Sequence, residues 1–183
     1  MNIFCCPGVC GSAAVASMLG TEPDEVPEFG YRARVALKST VPGREKFDRT
    51  EVDMKLGNLL VESKLTENDF QRAPARLVQS YRDLEEVFDG NRLPQTGDRY
   101  ASYQLIRNVL AAHATGLSFC VMLDERRPDL IEGWHTIMRC VENLELRTRL
   151  KVLTWQELTA VLPPGLKKFL LEKYRIKSLA THP

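Results

Sequence analysis

Hydrophobic and polar positions alternate with a period of two in three segments of the first half of the chain. Residues 31–37 alternate as expected for a half-buried strand, and residues 50–56 and 59–65 predict two more strands in close succession. Before them, small and apolar residues at 12–19 predict a short helix. This half therefore predicts a helix followed by three strands.

The second half shows helical spacing around one continuous apolar run. Residues 117–123 are apolar at almost every position, which is typical of a strand covered on both faces. The other predicted elements are broken helical pieces at 71–88, a loop at 91–98, helices at 100–115 and 128–141, a strand at 150–154, and closing helices at 155–161 and 165–176.

Together these elements predict an α/β fold. We expect a mixed central sheet flanked by helices in the order αβββαβ, with further helices at the C-terminus. At 44% apolar residues the chain can bury a sizeable core, and neither an internal repeat nor a long linker divides it. We therefore expect one domain over residues 1–183.

The Gly57–Asn58 pair sets the register of the predicted hairpin. A two-residue loop that begins with Gly favours a type II′ turn. With this loop, Asp53 lies opposite Glu62 and Glu51 lies opposite Lys64, and all four share one face because side chains two apart point the same way. The other face then carries Val52, Met54, Val61 and Ser63.

The predicted pairing of Asp53 with Glu62 places two negative charges opposite each other. Such a pair destabilises a β-ladder unless a positive charge lies between its members. A divalent metal would remove the conflict, since Mg²⁺ binds carboxylate oxygens, and a nearby lysine can position a water for attack on phosphorus. The alternative is a solvated hairpin face with one ion pair between Glu51 and Lys64.

Three short motifs resemble those of the PD-(D/E)xK nuclease superfamily. The first acid corresponds to Asp53, and the E-x-K motif to residues 62–64. Together with the helical run 103–108, they are similar to a family of stand-alone bacterial restriction endonucleases. The resemblance covers about residues 28–130, and it departs from the superfamily where Val52 replaces the Pro that often precedes the first acid.

The resemblance implies a restriction-endonuclease-like core and a Mg²⁺- or Mn²⁺-dependent DNA endonuclease of the restriction or repair type. Asp53 and Glu62 would hold the metal, with a backbone carbonyl from the 61–63 region. Lys64 would orient the attacking water and stabilise developing charge, and Glu51 is placed to tune Lys64 or to bind a second metal. The alternative is a non-catalytic domain that keeps the nuclease fold and binds nucleic acid or a protein partner.

Two further candidates have ordinary alternatives. Gln104 shares a face of the predicted helix with Arg107, and in several branches of the superfamily a Gln on this helix points at the active site; a surface amide is the alternative. Glu28, before the first strand, corresponds to the extra metal-binding acid of some members, with an exposed loop residue as the alternative.

The charges are unevenly spread although their sum is only +1. Residues 139–183 have nine basic and four acidic side chains, an excess of +5, which leaves −4 for residues 1–138. This excess would suit a surface facing DNA, and solvation of the closing helices is the alternative. The sequence leaves open whether the chain forms a homodimer.

Five cysteines in a chain of this length favour free thiols in a reducing compartment. Cys5, Cys6 and Cys10 have no second cysteine pair to complete a zinc site. The N-terminal segment has no early Lys or Arg and is interrupted by Pro7 and Gly8, so we expect no secretory signal. Without an apolar run of about 18 residues we also expect no membrane span and a cytoplasmic protein.

Overall fold

The structure, a computed structural model, describes residues 2–178. Its strands are β1 (Glu28–Arg32), β2 (Val35–Leu37), β3 (Lys46–Asp48), β4 (Glu51–Leu56), β5 (Leu59–Ser63), β6 (Ala73–Pro74), β7 (Gln95–Thr96), β8 (Arg99–Tyr100), β9 (Ser118–Leu123) and β10 (Leu150–Thr154). Its helices are a 3₁₀ turn at Asn2–Cys5 and α1 (Ala13–Leu19), α2 (Ala75–Val78), α3 (Leu84–Val87), α4 (Tyr103–Thr115), α5 (Pro128–Cys140), α6 (Leu144–Thr148), α7 (Trp155–Val161) and α8 (Pro164–Tyr174). Within residues 2–178, none of them has the length and apolar character needed to cross a membrane. The predicted domain also includes Met1 and residues 179–183, which lie outside the described residues.

Five strands form the central sheet in the spatial order β1-β4-β5-β9-β10. The first three are antiparallel neighbours, whereas β5, β9 and β10 run parallel. Parallel neighbours need long crossovers, and helix α4 lies in the crossover from β5 to β9 while α5 and α6 lie in the one from β9 to β10. The structure thus confirms a mixed sheet flanked by helices, compatible with a restriction-endonuclease-like core.

Strand β9 lies at the centre of two apolar layers. Phe119, Val121 and Leu123 pack in the layer that contains the buried residues of α4 and α5. Cys120 and Met122 point the other way, into the layer with α1, α7 and α8. Because both faces are covered, every one of these positions must be apolar, which explains the continuous run in the sequence.

Side-chain caps fix the ends of two helices that the sequence predicts closely. Ser12 accepts the amide of Val15 at the start of α1, and Gly20 ends that helix in a left-handed conformation. At α7, Thr154 and Glu157 form a capping box. These local signals can be recognised in the sequence, so the predicted bounds agree with the structure to within one residue.

The prediction of one strand over residues 31–37 is wrong, because the chain changes sheets within it. β1 ends at Arg32 and pairs with β4, whereas β2 begins at Val35 and pairs with β3 in a separate two-stranded sheet. Ala33 is buried and Arg34 is exposed across the break. The alternation therefore continues through it and gives no sign of the change.

The sequence also misses a small three-stranded sheet. β6, β7 and β8 are two residues each and pair in the order β6-β8-β7. They fall in segments that the sequence predicts as helical pieces, as a loop and as the start of a helix. Strands this short contain no periodic pattern, so only the fold reveals them.

The β4–β5 hairpin has the predicted turn, and it keeps the predicted register from the turn as far as Met54 and Val61. Met54 pairs with Val61. Gly57 has a φ of +53°, and Asn58 is not among the residues with positive φ, as a type II′ turn requires. A β-carbon at Gly57 would meet only the flexible Glu25 carboxylate, at 2.8 Å, so it is the positive φ that favours glycine at this position.

Candidate functional site

The carboxyl end of β5 and the amino end of β4 meet at one edge of the central sheet. Their ladder extends from the turn as far as Met54 and Val61. Beyond it, the amide of Ser63 donates to Oδ2 of Asp53 at 2.8 Å. Val52 packs in the opposite apolar layer from Met54, so the predicted alternation ends at Asp53. The Asp53 carboxylate is thus held against the end of β5.

Glu62 is buried at this edge, with only 3% of its surface exposed. Its Oε1 lies 3.1 Å from Nζ of Lys64. Its Oε2 accepts a hydrogen bond of 2.9 Å from Nδ2 of Asn108 on α4. Each carboxylate oxygen therefore has one polar protein partner, and the side chain is fixed from both sides.

Lys64 is held by its backbone as well as by its charge. Its amide donates to the carbonyl of Met122 on β9 at 2.8 Å, and its carbonyl accepts from Nε1 of Trp155 at 3.2 Å. The residue is 5% exposed, and Nζ lies 5.8 Å from the centre of the Phe70 ring. Contacts with β9 and with the start of α7 therefore hold the Lys64 backbone in the position that places its ammonium group beside Glu62.

Burial raises the pKa of both carboxyl groups, because removal from water disfavours the charged form. The charge of Asp53 raises the pKa of Glu62 further, so the two predicted acids lie close together. The Ser63 amide and Lys64 act in the opposite direction on Asp53, without reversing the shift. Among residues 2–178, the one ammonium group that acts on both carboxyl groups is that of Lys64, so two carboxylates face a single side-chain cation.

A chain of hydrogen bonds links Glu62 to the rest of the fold. Nη1 of Arg107 donates to Oδ1 of Asn108 at 2.6 Å and to the carbonyl of Glu51 at 3.2 Å. Nε of the same arginine lies 3.4 Å from Oδ2 of Asp48 on β3. Because Oδ1 of Asn108 accepts from Arg107, its Nδ2 faces Glu62. The buried arginine thereby orients the amide that holds the acid.

The ion pair between Glu51 and Lys64, which the solvated-hairpin alternative predicts, does not form among the described residues. Glu51 is exposed and accepts hydrogen bonds of 3.0 and 2.7 Å from Nε and Nη2 of Arg32 on β1, whereas Lys64 pairs with Glu62. The prediction considered the hairpin alone, but β4 lies between two strands and Glu51 uses the other neighbour. A role for Glu51 in tuning the site or in binding a second metal stays a prediction.

Gln104 and Glu28 make no polar contact with the Asp53–Glu62 pair. Gln104 lies one helical turn before Asn108, and its buried Oε1 has no hydrogen-bond partner within residues 2–178. Glu28 is exposed at the start of β1. In the part of the chain that the structure describes, no three His, Cys, Asp or Glu side chains gather into a metal-binding group. The candidate site therefore consists of two acids and one lysine.

Comparison with protein families matches residues 1–175 to the family described as Restriction Endonuclease associating with ARP. The chain belongs to this family. Comparisons with curated proteins and with solved structures gave no match. Membership confirms the resemblance to restriction endonucleases and indicates a nuclease-related function. The matched span includes the β4–β5 hairpin and α4, and so the whole candidate site.

In this restriction endonuclease family member, the residue that sequence reasoning misses is Asn108. It is buried and polar among the apolar residues Ile106, Val109 and Leu110 of α4. It also follows Gln104 by four residues, which is one helical turn. A polar residue on an otherwise apolar helix face is therefore the signal that could have identified it.

The donors at the Asp53–Glu62 pair suit a hard divalent cation. Mg²⁺ is commonly bound through one or two carboxylates and keeps several waters. A cation here would also favour the charged form of both acids, whose pKa burial raises, and would offset the charge of Asp53 that raises the pKa of Glu62 further. The polar partners found for the pair within residues 2–178 come from Ser63, Lys64 and Asn108 and include no His or Cys, the ligands that softer metals prefer.

A second buried carboxylate follows β9 at the same edge of the sheet. Asp124 accepts from Nε of Arg126 at 2.9 Å and from Nε2 of Gln156 at 2.8 Å. The hydrogen bonds from Arg126 lower the pKa of Asp124 to about 2. Arg126 also donates to the carbonyl of Tyr174 at 3.1 Å, at the end of α8. This pair is balanced in charge and ties β9 to the closing helices.

Proposed function

We propose that the protein is a Mg²⁺-dependent nuclease that hydrolyses phosphodiester bonds in DNA as an endonuclease of the restriction or repair type. Mn²⁺ would replace Mg²⁺ at the same donors. The proposal is carried by one observation: the buried carboxylate of Glu62 and the half-buried carboxylate of Asp53 lie close together, and among the described residues the side chain whose positive charge acts on both is Lys64. A site of this kind is costly to the fold and explicable if it binds a cation.

Asp53 and Glu62 would hold the ion. Its chemistry there is to lower the pKa of a bound water and to neutralise charge on the phosphate. In the hydrolysis a water oxygen forms a bond to phosphorus, the ester P–O bond breaks, and the leaving oxygen takes up a proton.

Lys64 would act on the reacting groups directly. Its Nζ lies beside Glu62, where it would orient the attacking water and stabilise the negative charge that develops on the phosphate oxygens. Asn108 and Arg107 are positioning residues, since they fix Glu62 without reaching the substrate in this arrangement. Such preorganisation removes the need to reorient the acid during the reaction.

The test is incubation of the purified protein with supercoiled plasmid, linear duplex and single-stranded DNA, in Mg²⁺ and in EDTA. We expect cleavage in Mg²⁺ alone, and nicking or linearisation of the plasmid as the mark of an endonuclease. Ca²⁺ should support DNA binding with little cleavage, because its longer and more variable coordination orients water less tightly. Cleavage that persists in EDTA would overturn the metal requirement.

The alternative is a domain that keeps the nuclease fold and only binds nucleic acid or a protein partner. The same experiment separates the two. Intact DNA binding with no cleavage in either Mg²⁺ or Mn²⁺ would support the binding domain and contradict the enzyme.

A further inference from the structure

The β2–β3 hairpin extends from the edge of the sheet that carries the Asp53–Glu62 pair. β2 follows β1 shortly after Arg32, and β3 precedes β4 shortly before Glu51; these two residues are ladder partners at that edge. Because β4 and β5 are antiparallel, the start of β4 lies beside the end of β5. The hairpin is therefore next to the candidate site in the topology of the sheet.

The hairpin and its flanking residues carry a net positive charge. Residues 34–49 have five basic and two acidic side chains, a net charge of +3 in a chain whose total is +1. One of the two acids, Asp48, is paired with the buried Arg107. The loop forms a groove of about 520 Å³, whose lining includes Lys38, Arg44, Lys46 and Arg49.

The cations of this loop are available to a ligand. Arg44, Lys46 and Arg49 are exposed, and no residue within 2–178 forms a side-chain hydrogen bond or ion pair with any of them. Arg34 lies flat over the Phe47 ring at 4.1 Å, which stiffens the base of the hairpin. Exposed cations without protein partners are what a polyanion can bind at least cost.

Unlike the exposed cations of the hairpin, many of the basic side chains after residue 138 have protein partners. Five of these nine basic side chains already have protein partners among the described residues: Arg139 with Glu132, Arg149 with the Leu117 carbonyl, Lys151 with the Leu19 carbonyl, Lys167 with the Ala160 carbonyl and Lys168 with Glu172. These contacts, on α5, β10, α8 and at the end of α6, give much of the excess a role within the protein that does not require DNA.

The hairpin is also held in a fixed position relative to the site. Asp48 at its base contacts Arg107, which donates to Asn108, which donates to Glu62. The Tyr81 hydroxyl also donates to Asp48 and lies 2.9 Å from that of Tyr103. A ligand on the hairpin would thus be positioned against the two acids through a short chain of buried polar contacts.

We propose that the β2–β3 hairpin binds the phosphate backbone of duplex DNA beside the Asp53–Glu62 pair, through Arg44, Lys46 and Arg49. The identity of the ligand rests on the proposed nuclease function. A two-stranded ribbon suits the wide major groove of B-form DNA, whereas the major groove of an RNA duplex is narrow and deep. The hairpin therefore favours DNA.

The test is the salt dependence of DNA binding in EDTA, where no metal-dependent cleavage occurs. The affinity for a labelled 20-base-pair duplex is measured by fluorescence anisotropy across salt concentrations. Each phosphate contact contributes roughly 0.9 to the log–log slope, so Arg44→Ala/Lys46→Ala should reduce it by up to about 1.8. The charge-conserving Arg44→Lys/Lys46→Arg should keep it, and so should the charge-matched Lys167→Ala/Lys168→Ala on α8.

An unchanged slope in Arg44→Ala/Lys46→Ala, or an equal reduction in the α8 variant, would overturn the proposal. Tighter, hairpin-dependent binding of an RNA duplex of the same sequence would overturn the assignment to DNA. If the wild type cleaves DNA in Mg²⁺ but the hairpin variants bind DNA as the wild type does, the nuclease function stands and this inference is wrong. DNA binding that depends on the hairpin, without cleavage in Mg²⁺, would support this inference and contradict the nuclease function.

Discussion

Two carboxylate clusters lie at the same edge of the central sheet and differ in charge balance. At the end of β9, Asp124 has its own arginine, and Arg126 lowers its pKa to about 2. At the end of β5, Asp53 and Glu62 share the ammonium group of Lys64, and burial raises the pKa of both. One cluster favours its charged state, and the other resists it.

The difference separates a contact that holds the fold together from one whose charge a bound cation would offset. The Asp124 cluster is complete, since its partners satisfy the charge and also hold the end of α8. With both acids ionised, the Asp53–Glu62 pair carries one more negative charge than the Lys64 side chain offsets, and Glu62 is buried. We infer that folding selects the first cluster and that function retains the second.

The largest effect is expected on catalysis when Asp53 or Glu62 is replaced. If the rate does not fall, the two carboxylate clusters do not differ in function. Asp53→Asn or Glu62→Gln should lower the rate of Mg²⁺-dependent cleavage by about 10²–10⁴-fold, because metal catalysis supplies several kcal/mol. Plasmid cleavage under single-turnover conditions measures this. Glu132→Gln, which changes an exposed carboxylate on α5, is the matched control and should keep its rate. Full activity of Asp53→Asn would contradict the assignment.

The next effect is on stability and should have opposite signs at the two clusters. Asp124→Asn should lower the free energy of unfolding by about 1–3 kcal/mol, since it removes charged hydrogen bonds. Asp53→Asn should leave the metal-free protein equally stable or slightly more stable, because it removes a like-charge contact. Urea denaturation in EDTA compares them. If Asp53→Asn lowered the free energy of unfolding more than Asp124→Asn does, the assignment of a structural role to Asp124 and of a ligand-binding role to Asp53 would be contradicted.

The pH dependence of stability should sharpen the same contrast. The folded pKa of Asp124 is about 2, below its ordinary value of 3.8, so its contribution of about 2 kcal/mol is complete above that ordinary value. The contribution should be lost as the pH falls through 4 toward 2. Unfolding curves of the wild type and Asp124→Asn should therefore converge at low pH, and a constant gap would argue against the lowered pKa.

The smallest effect is stabilisation by the metal. A ligand that binds only the folded state at about five times its Kd stabilises it by about 1 kcal/mol. For a chain of this size Mg²⁺ should then raise the Tm by about 2–4 °C. The rise should occur in the wild type and in Asp124→Asn and should vanish in Asp53→Asn, as thermal unfolding can show. An equal rise in all three would locate the ion elsewhere.

Local signals explain what the sequence predicts about the fold. The β4–β5 hairpin combines period-two alternation with a Gly-first turn, and β9 is apolar because both its faces are covered. The change of sheets after Arg32 escapes prediction because the alternation continues through Ala33 and Arg34. Strand pairing across such a break depends on distant partners, which no window of sequence contains.

The candidate site divides in the same way. Asp53, Glu62 and Lys64 are close in sequence and lie on one predicted hairpin, so the sequence alone predicts that they come together. Asn108 contacts Glu62 across 46 positions and Arg107 contacts Asp48 across 59. These partners come from the packing of α4 on the sheet, which the motif does not encode.

The central claim is that Asp53 and Glu62 together bind a divalent cation. Calorimetric titration of Mn²⁺ into the metal-free protein tests it most directly. The account predicts saturable binding by the wild type and by Asp124→Asn, and none by Asp53→Asn at the same concentrations. Equal binding by the wild type and Asp53→Asn, or none by the wild type, would contradict it.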